Sequence, residues 1–251
     1  MTDQIADAPQ IIRMRHELRR RNLRVAASER LSPHMIRLTL QGADMHDFNS
    51  GAPDDHMKLI LNAESDSPQM RDYTPRRFST SELVVDVVDH PGGPAADWAR
   101  AAAVGDAITI GGPRGSQRIE GAIDQWLLIG DETALPAIGR WIEEMPAATR
   151  VTSIVGVPDA ADEQSLDTAA DWTAHWLHRP LDQATDPAPY LAALGGMTLP
   201  PRTFVWIAAE AMVARAIRTH LLDKGHDKQW IKASGYWVAG QADASDKGIE
   251  D

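Results

Sequence analysis

The chain has 251 residues, 43% of them apolar, enough for two modest domains or one large one around a buried core. Its formal charge is −11, from 36 acidic against 25 basic residues, which disfavours non-specific binding to nucleic acid or an anionic membrane; an anionic ligand needs a local basic pocket. Cysteine is absent, which excludes disulfides, thiolate nucleophiles, Cys-ligated zinc and ordinary Cys-bound iron–sulfur clusters, so redox chemistry must use an organic cofactor or a metal held by other ligands.

Residues 1–10 are polar and acidic with no apolar leader core, and no later stretch approaches the roughly 18 apolar residues of a membrane helix. A cytoplasmic protein without a membrane partner is expected, with a frayed polar tail over 241–251. Residues 13–24 (RMRHELRRRNLR) are the one basic run; it could attract an anionic partner, but a solvated helix face or a lead-in strand is the commoner meaning of such a run. Short alternating segments follow at 23–27, 35–40, 57–61, 71–78, 83–88 and 107–110, broken by Gly42, Gly51, Pro53, Pro68, Gly92 and Gly105. That texture predicts an antiparallel barrel or sandwich.

Within it, Arg71-Asp72-Tyr73-Thr74-Pro75-Arg76-Arg77-Phe78 gathers an aromatic ring, a hydroxyl and guanidinium groups. Alternate strand residues share a face, so Tyr73 could lie along a flat ring while Thr74 bonds its edge and Arg71 forks onto a phosphate. A flavin nucleotide offers all three targets, although a polar turn on a solvated sheet would use similar residues. His90-Pro91-Gly92-Gly93-Pro94-Ala95 leads into a short helix over 95–104, whose glycine-approached start suits a pyrophosphate or a plain strand-to-helix connection. A second glycine turn over 111–116 is expected to close the sheet region.

From Asp124 the pattern changes. Trp126-Leu127-Leu128-Ile129 reads as a buried parallel strand entering Gly130-Asp131-Glu132-Thr133-Ala134-Leu135-Pro136 and a helix over 137–144. Strands at 151–157, 173–177, 203–208 and 229–233 alternate with helices near 189–194 and at 211–223, which predicts a doubly wound α/β domain with its ligand at the carboxyl ends of the strands, where 130–133 and 208–210 lie. The domain boundary is expected at 120–124. His175 and His178 sit in a strand-like segment and read as structural or surface histidines, so no metal site is expected. Glu143 and Glu144 read as a solvated helix face. Neither Thr133 nor Ser116 lies in a nucleophile elbow.

Five motifs in this order resemble the siderophore-interacting flavoproteins of the ferredoxin reductase-like superfamily: Arg71-x-Tyr73-Thr74-x-Arg76, His90-x-Gly92-Gly93-Pro94-Ala95-x-x-Trp98, Gly112-Pro113-Arg114-Gly115-Ser116, Gly130 to Ile138, and Gly235-Tyr236-Trp237. The resemblance implies a two-domain β + α/β protein, with an antiparallel FAD-binding β-barrel over 1–120 and an NAD(P)H-binding α/β domain over 121–251. It implies reduction of ferric siderophores with NADH or NADPH, by a monomer. Carried over, Arg71 would hold the FAD phosphate, Tyr73 and Thr74 the isoalloxazine ring, and Gly92, Gly93, Pro94 and Ala95 the pyrophosphate, with His90 and Trp98 beside them. Asp131, Glu132, Thr133 and Ala134 would form the nicotinamide-nucleotide loop, with Glu210, Tyr236 and Trp237 completing the cofactor set. A carboxylate pair cannot favour phosphates, so the loop amides and Thr133 are the better contacts. Lys58 and Lys232 are the candidate substrate cations, and Val238 stands where many members have arginine. Asp159, Asp162 and Glu163 after the second α/β strand lean towards NADH, with Arg179 the nearest basic residue downstream. A general flavin reductase, or a binding module without turnover, would share most of these features.

Overall fold

The computed structural model describes residues 8–246 and residue 249. The chain divides into two compact units: Ile12–Arg118 with Gly139–Trp141, and the remainder. Among the described residues no helix is long and apolar enough to cross a membrane.

The first unit holds an antiparallel sheet. After β1 (Gln10–Arg15) come β2 (Arg20–Ser32), β3 (Met35–Gln41), β4 (Met57–Leu61), β5 (Gln69–Tyr73), β6 (Arg77–Phe78), β7 (Glu82–Val88) and β8 (Ala107–Gly111). Seven of these strands pair in the order β5-β4-β8-β2-β3-β7-β6, and the sheet curls so that β5 also approaches β7. The curled sheet is an open barrel. Alternation explains it: Leu38, Leu40, Leu59, Leu83, Val85 and Ile110 are buried in one core, while their strand neighbours take the other face of the sheet, where Ile60, Val84 and Asp86 are buried too.

Four expectations for this unit need correction. The strand expected at 23–27 is a 13-residue strand, because β2 pairs with β8 through its first half and with β3 through its second, past bulges at Val25/Ala27 and Arg30/Ser32. The strand expected over 71–78 is two strands, since Pro75 cannot donate to a ladder. The glycine turn after β8 does not close the sheet region: β9 (Gly115–Glu120) follows it and pairs with β1 in a separate two-stranded sheet. The helix, α1 (Pro94–Ala101), stops short of residue 104.

In the second unit β10 (Gln125–Gly130), β11 (Arg150–Val157), β12 (Asp171–His178), β13 (Thr203–Glu210) and β14 (Ile231–Trp237) form a parallel sheet in the order β12-β11-β10-β13-β14. The helices α2 (Leu135–Glu144), α3 (Ala188–Gly195) and α4 (Ala211–Asp223) connect them. β13 is buried throughout, as an inner parallel strand must be. The order reverses between β10 and β13, so the crevice at their carboxyl ends is the topological switch point. β14 begins two residues later than expected, after a 3-10 turn at Lys228–Trp230, and runs on to carry Tyr236 and Trp237 within the strand.

Candidate functional site

In the barrel unit, β5 lies at the end of the sheet and pairs Arg71 with Leu59 and Tyr73 with Met57. Leu59 and Met57 are core residues, so Arg71 and Tyr73 share the inward face and Asp72 takes the other. On that other face Lys58 Nζ lies 3.2 Å from Asp72 Oδ2, both side chains about a third exposed. Lys58 therefore stands beside a carboxylate, away from Arg71 and Tyr73.

The three residues expected at the flavin are polar and weakly engaged. Arg71 is half-buried, donates Nη1 to Met70 O at 2.8 Å and makes no ion pair among the described residues. The hydroxyls of Tyr73 and Thr74 make no hydrogen bond among the described residues, though Thr74 is only 7% exposed. Burial pushes the Tyr73 phenol above the usual tyrosine range, with the Arg71 guanidinium opposing it. Arg76 is different: it approaches buried Asp86, whose carboxylate Arg37 grips with two bonds of 2.7 and 2.8 Å. Unlike Arg71, it has a carboxylate neighbour inside the protein.

The start of α1 is a cradle of backbone. Gly92 sits at φ +76, where a side chain is strained, with open space where a Cβ would go. A Cβ on Gly93 would lie 2.5 Å from His90 Cε1, so the exposed His90 ring rests directly over that glycine. Gly93 caps the helix without a side chain and Pro94 follows, so the first intrahelical bond is Asp97 N to Gly93 O at 2.8 Å. The amides of Ala95 and Ala96 have no side-chain cap. Trp98, one turn on, packs half-buried against the core that Tyr73 also touches. Glycines without Cβ, an uncapped helix start and an arginine without a carboxylate fit a dinucleotide such as FAD.

In the α/β unit the expected residues do gather, but around each other. Asp131, 1% exposed, accepts on Oδ1 from Thr133 N (2.9 Å) and Thr133 Oγ1 (2.5 Å), and on Oδ2 from Glu210 N (2.9 Å) and Trp237 Nε1 (2.8 Å). One carboxylate thus ties together the ends of β10, β13 and β14. Glu210 caps α4, accepting from Met212 N at 2.6 Å and Val213 N at 3.2 Å, and also holds Ala239 N at 3.2 Å. Glu132 accepts from Arg179 Nη2 at 2.7 Å, both being buried. Burial first, and then the Asp131 charge, push the Glu132 carboxyl up to about 7, with Arg179 opposing. Ala134 ends the loop; a Cβ on Gly130 would lie 2.6 Å from its Cβ, so the loop turns where only glycine fits.

Tyr236 sets its ring edge-on to Trp206, 6.0 Å between centroids. Lys232 is not brought to this group: it is 5% exposed beside Trp206, five residues before Trp237 and about 17 Å along the strand. His175 and His178 are both exposed, and His178 Nε2 lies 2.7 Å from Glu163. What the sequence reading missed is the support under the loop. Tyr190 on α3 donates to Gly130 O at 3.2 Å, and Gly156 leaves the space that the Tyr190 hydroxyl fills, a Cβ there falling 2.0 Å from it. Arg179, 2% exposed at the end of β12, is the loop's internal counterion, with Nε and Nη1 lacking a hydrogen-bond partner. Its position just after a strand was the available signal.

The model of the siderophore-interacting FAD-binding domain matches residues 24–67 and 62–117, and that of the siderophore-interacting protein matches 123–240. The NADPH-dependent ferric-chelate reductase of Escherichia coli K12 is 32% identical over 250 residues, covering 90% of this chain and 96% of that protein. A siderophore utilization protein from T. fusca superposes with a TM-score of 0.85 at 33% identity, over 94% of this chain and 98% of that one. The ferredoxin reductase in carbazole 1,9a-dioxygenase shares the fold alone, with a TM-score of 0.65 at 17% identity over 86% of this chain and 69% of that one. With both halves matched in order and a relative similar over nearly its full length, the chain belongs to the siderophore-interacting protein family.

Proposed function

We propose that this chain is an FAD-dependent NAD(P)H:ferric-siderophore oxidoreductase that reduces chelated Fe(III) to Fe(II) for iron release, working in the cytoplasm as a monomer. The observation that carries it is the set Arg71, Tyr73 and Thr74: three polar side chains on or beside one strand, without side-chain partners, in a unit that also offers an uncapped helix start. None of their polar atoms is sealed in the interior, so their hydrogen-bonding capacity is open to a resident ligand. FAD, when bound, accepts two electrons from a reduced nicotinamide and passes them on singly to iron.

The residues of this chain bind and orient. Arg71 places its fork on an FAD phosphate, the amides of Ala95 and Ala96 take the pyrophosphate, and Tyr73 and Thr74 meet the ring and its edge. In the α/β unit the carboxylates of Asp131 and Glu132 turn inward and Thr133 gives its amide and hydroxyl protons to Asp131, so the nicotinamide nucleotide would meet a loop whose donors are already turned in on itself. No acid–base catalyst is required. Fe(II) has lower charge and prefers softer donors, so reduction loosens hard oxygen ligands and the metal leaves.

Anaerobic spectroscopy tests this reading. The purified protein should be yellow, bleach with NADH or NADPH, and recover its colour on adding ferric siderophores. Recovery with any acceptor alike would make it a general flavin reductase, and a colour that no nicotinamide bleaches would make it a binding module. A protein that stays colourless after refolding with excess FAD overturns the proposal.

A further inference from the structure

We propose that a recess in the barrel unit, walled by Arg15, His16, Arg19 and Arg21, binds one anionic oxygen-donor arm of the iron chelate. The inference rests on the reductase reading for the identity of the ligand and on its own geometry for the site. It uses the basic run of residues 13–24, which the flavin residues leave untouched.

The recess has a volume of about 230 Å³ and also includes Glu17 and Asp47. That is below the roughly 300 Å³ at which pockets begin to enclose a whole small ligand, so it suits a limb, such as a catecholate or carboxylate, with the rest of the chelate outside. Three guanidinium groups meet two carboxylates there. Arg21, 5% exposed, is fixed by Nε to Asp44 O (3.0 Å), Nη1 to Gly112 O (3.3 Å) and Nη2 to Asp47 Oδ1 (2.9 Å). Arg19 lies between Glu17, at 2.9 Å, and Asp47. Arg15 is exposed, and its side chain makes no hydrogen bond or ion pair among the described residues, so the excess charge sits on it. His16 Nε2 is 2.7 Å from Ser116 Oγ, itself 2.6 Å from Asp55 Oδ2; Ser116 and Asp55 are both 3% exposed. Ser116 gives its proton to Asp55, so His16 Nε2 donates to Ser116 Oγ, and this buried pair fixes the imidazole as a wall of the recess while the arginines supply the charge.

The recess also has the right address. Across the sheet Arg20 pairs with Gly111, Gly111 with Lys58, and Met57 beside it with Tyr73. It therefore opens at the end of the barrel that carries Tyr73, about 14 Å or three strand spacings away. In a chain of charge −11, with Val238 in place of the arginine that the family resemblance suggests, a local cationic recess supplies the attraction that a negatively charged chelate needs.

The test uses redox-inert gallium(III) complexes and flavin-loaded protein without nicotinamide, followed by tryptophan fluorescence. The trianionic tris-catecholate should bind more tightly than the neutral tris-hydroxamate, and its affinity should fall with salt. Arg15→Glu should weaken the trianionic complex about tenfold and the neutral one less than about twofold, as expected for a charge at the edge of a site. Equal losses for both complexes, no loss for the trianionic one, or equal competition by inorganic phosphate would overturn the proposal. Flavin content and bleaching by NAD(P)H, read on the same samples, separate the two ideas. A yellow, bleachable protein with Arg15-independent binding removes the recess and keeps the reductase. A flavin-free protein with Arg15-dependent binding does the reverse.

Discussion

The two halves treat their polar residues in opposite ways. In the barrel, Arg71, Tyr73 and Thr74 have no side-chain partners and α1 begins without a side-chain cap. In the α/β unit, Asp131, Glu132, Thr133 and Glu210 are bonded to one another, to Arg179, Trp237 or to helix amides. The first arrangement leaves accessible donors and acceptors unused, which suits a ligand that stays and takes them up. The second is closed on itself apart from Arg179, whose Nε and Nη1 lack a hydrogen-bond partner among the described residues. It suits a nucleotide that comes and goes once per turnover, meeting a loop already in shape.

Removing the hub of the complete half should have the largest effect. Asp131→Ala leaves the Glu210 amide and the Trp237 indole unsatisfied and frees Thr133, a loss of about 3–5 kcal/mol in stability, checked by denaturant unfolding. If the comparison holds, flavin content measured at low denaturant survives. Arg71→Ala probes the other half: the fold should persist while FAD affinity falls about 10- to 100-fold, as for a lost charge-assisted bond of ~1.5–3 kcal/mol, measured by flavin release on dilution. An unchanged flavin content would break the contrast.

Glu132 sharpens it by pH. Its carboxyl is raised from 4.5 to about 7 in the folded state, so between those values the native protein holds a proton that the unfolded chain does not. Stability should therefore fall as pH rises from about 5 to about 7, and Glu132→Gln should flatten that slope in unfolding curves. Lys58→Ala should be the mildest change, within about 0.5 kcal/mol, because an ion pair a third exposed contributes little; equilibrium unfolding reads it.

How much was legible follows from what each feature depends on. β3, β4 and β7 are close to the segments expected because apolar alternation marks a strand with one buried face. β9 was missed since GSQRIE has little alternation and pairs with a single strand outside the main sheet. The second half of β2 is largely exposed, so its length is set by its neighbours and not by its own pattern. The motifs at 71–76, 90–98 and 130–138 were visible because glycine, proline and arginine carry specific backbone or charge demands. Their partners were not. Asp131 and Trp237 are 106 positions apart, Glu132 and Arg179 47 apart, and only the order of a parallel sheet brings them together.

The same carboxylate that starts α4 also holds the amide of Ala239, and the chain closes a tight bend there through Gln241 N to Val238 O at 3.0 Å. Position 238 is thus held through its own carbonyl and through the Ala239 amide, neither of which involves its side chain. A valine, an arginine or a glutamine can be exchanged at that spot without disturbing the backbone around it.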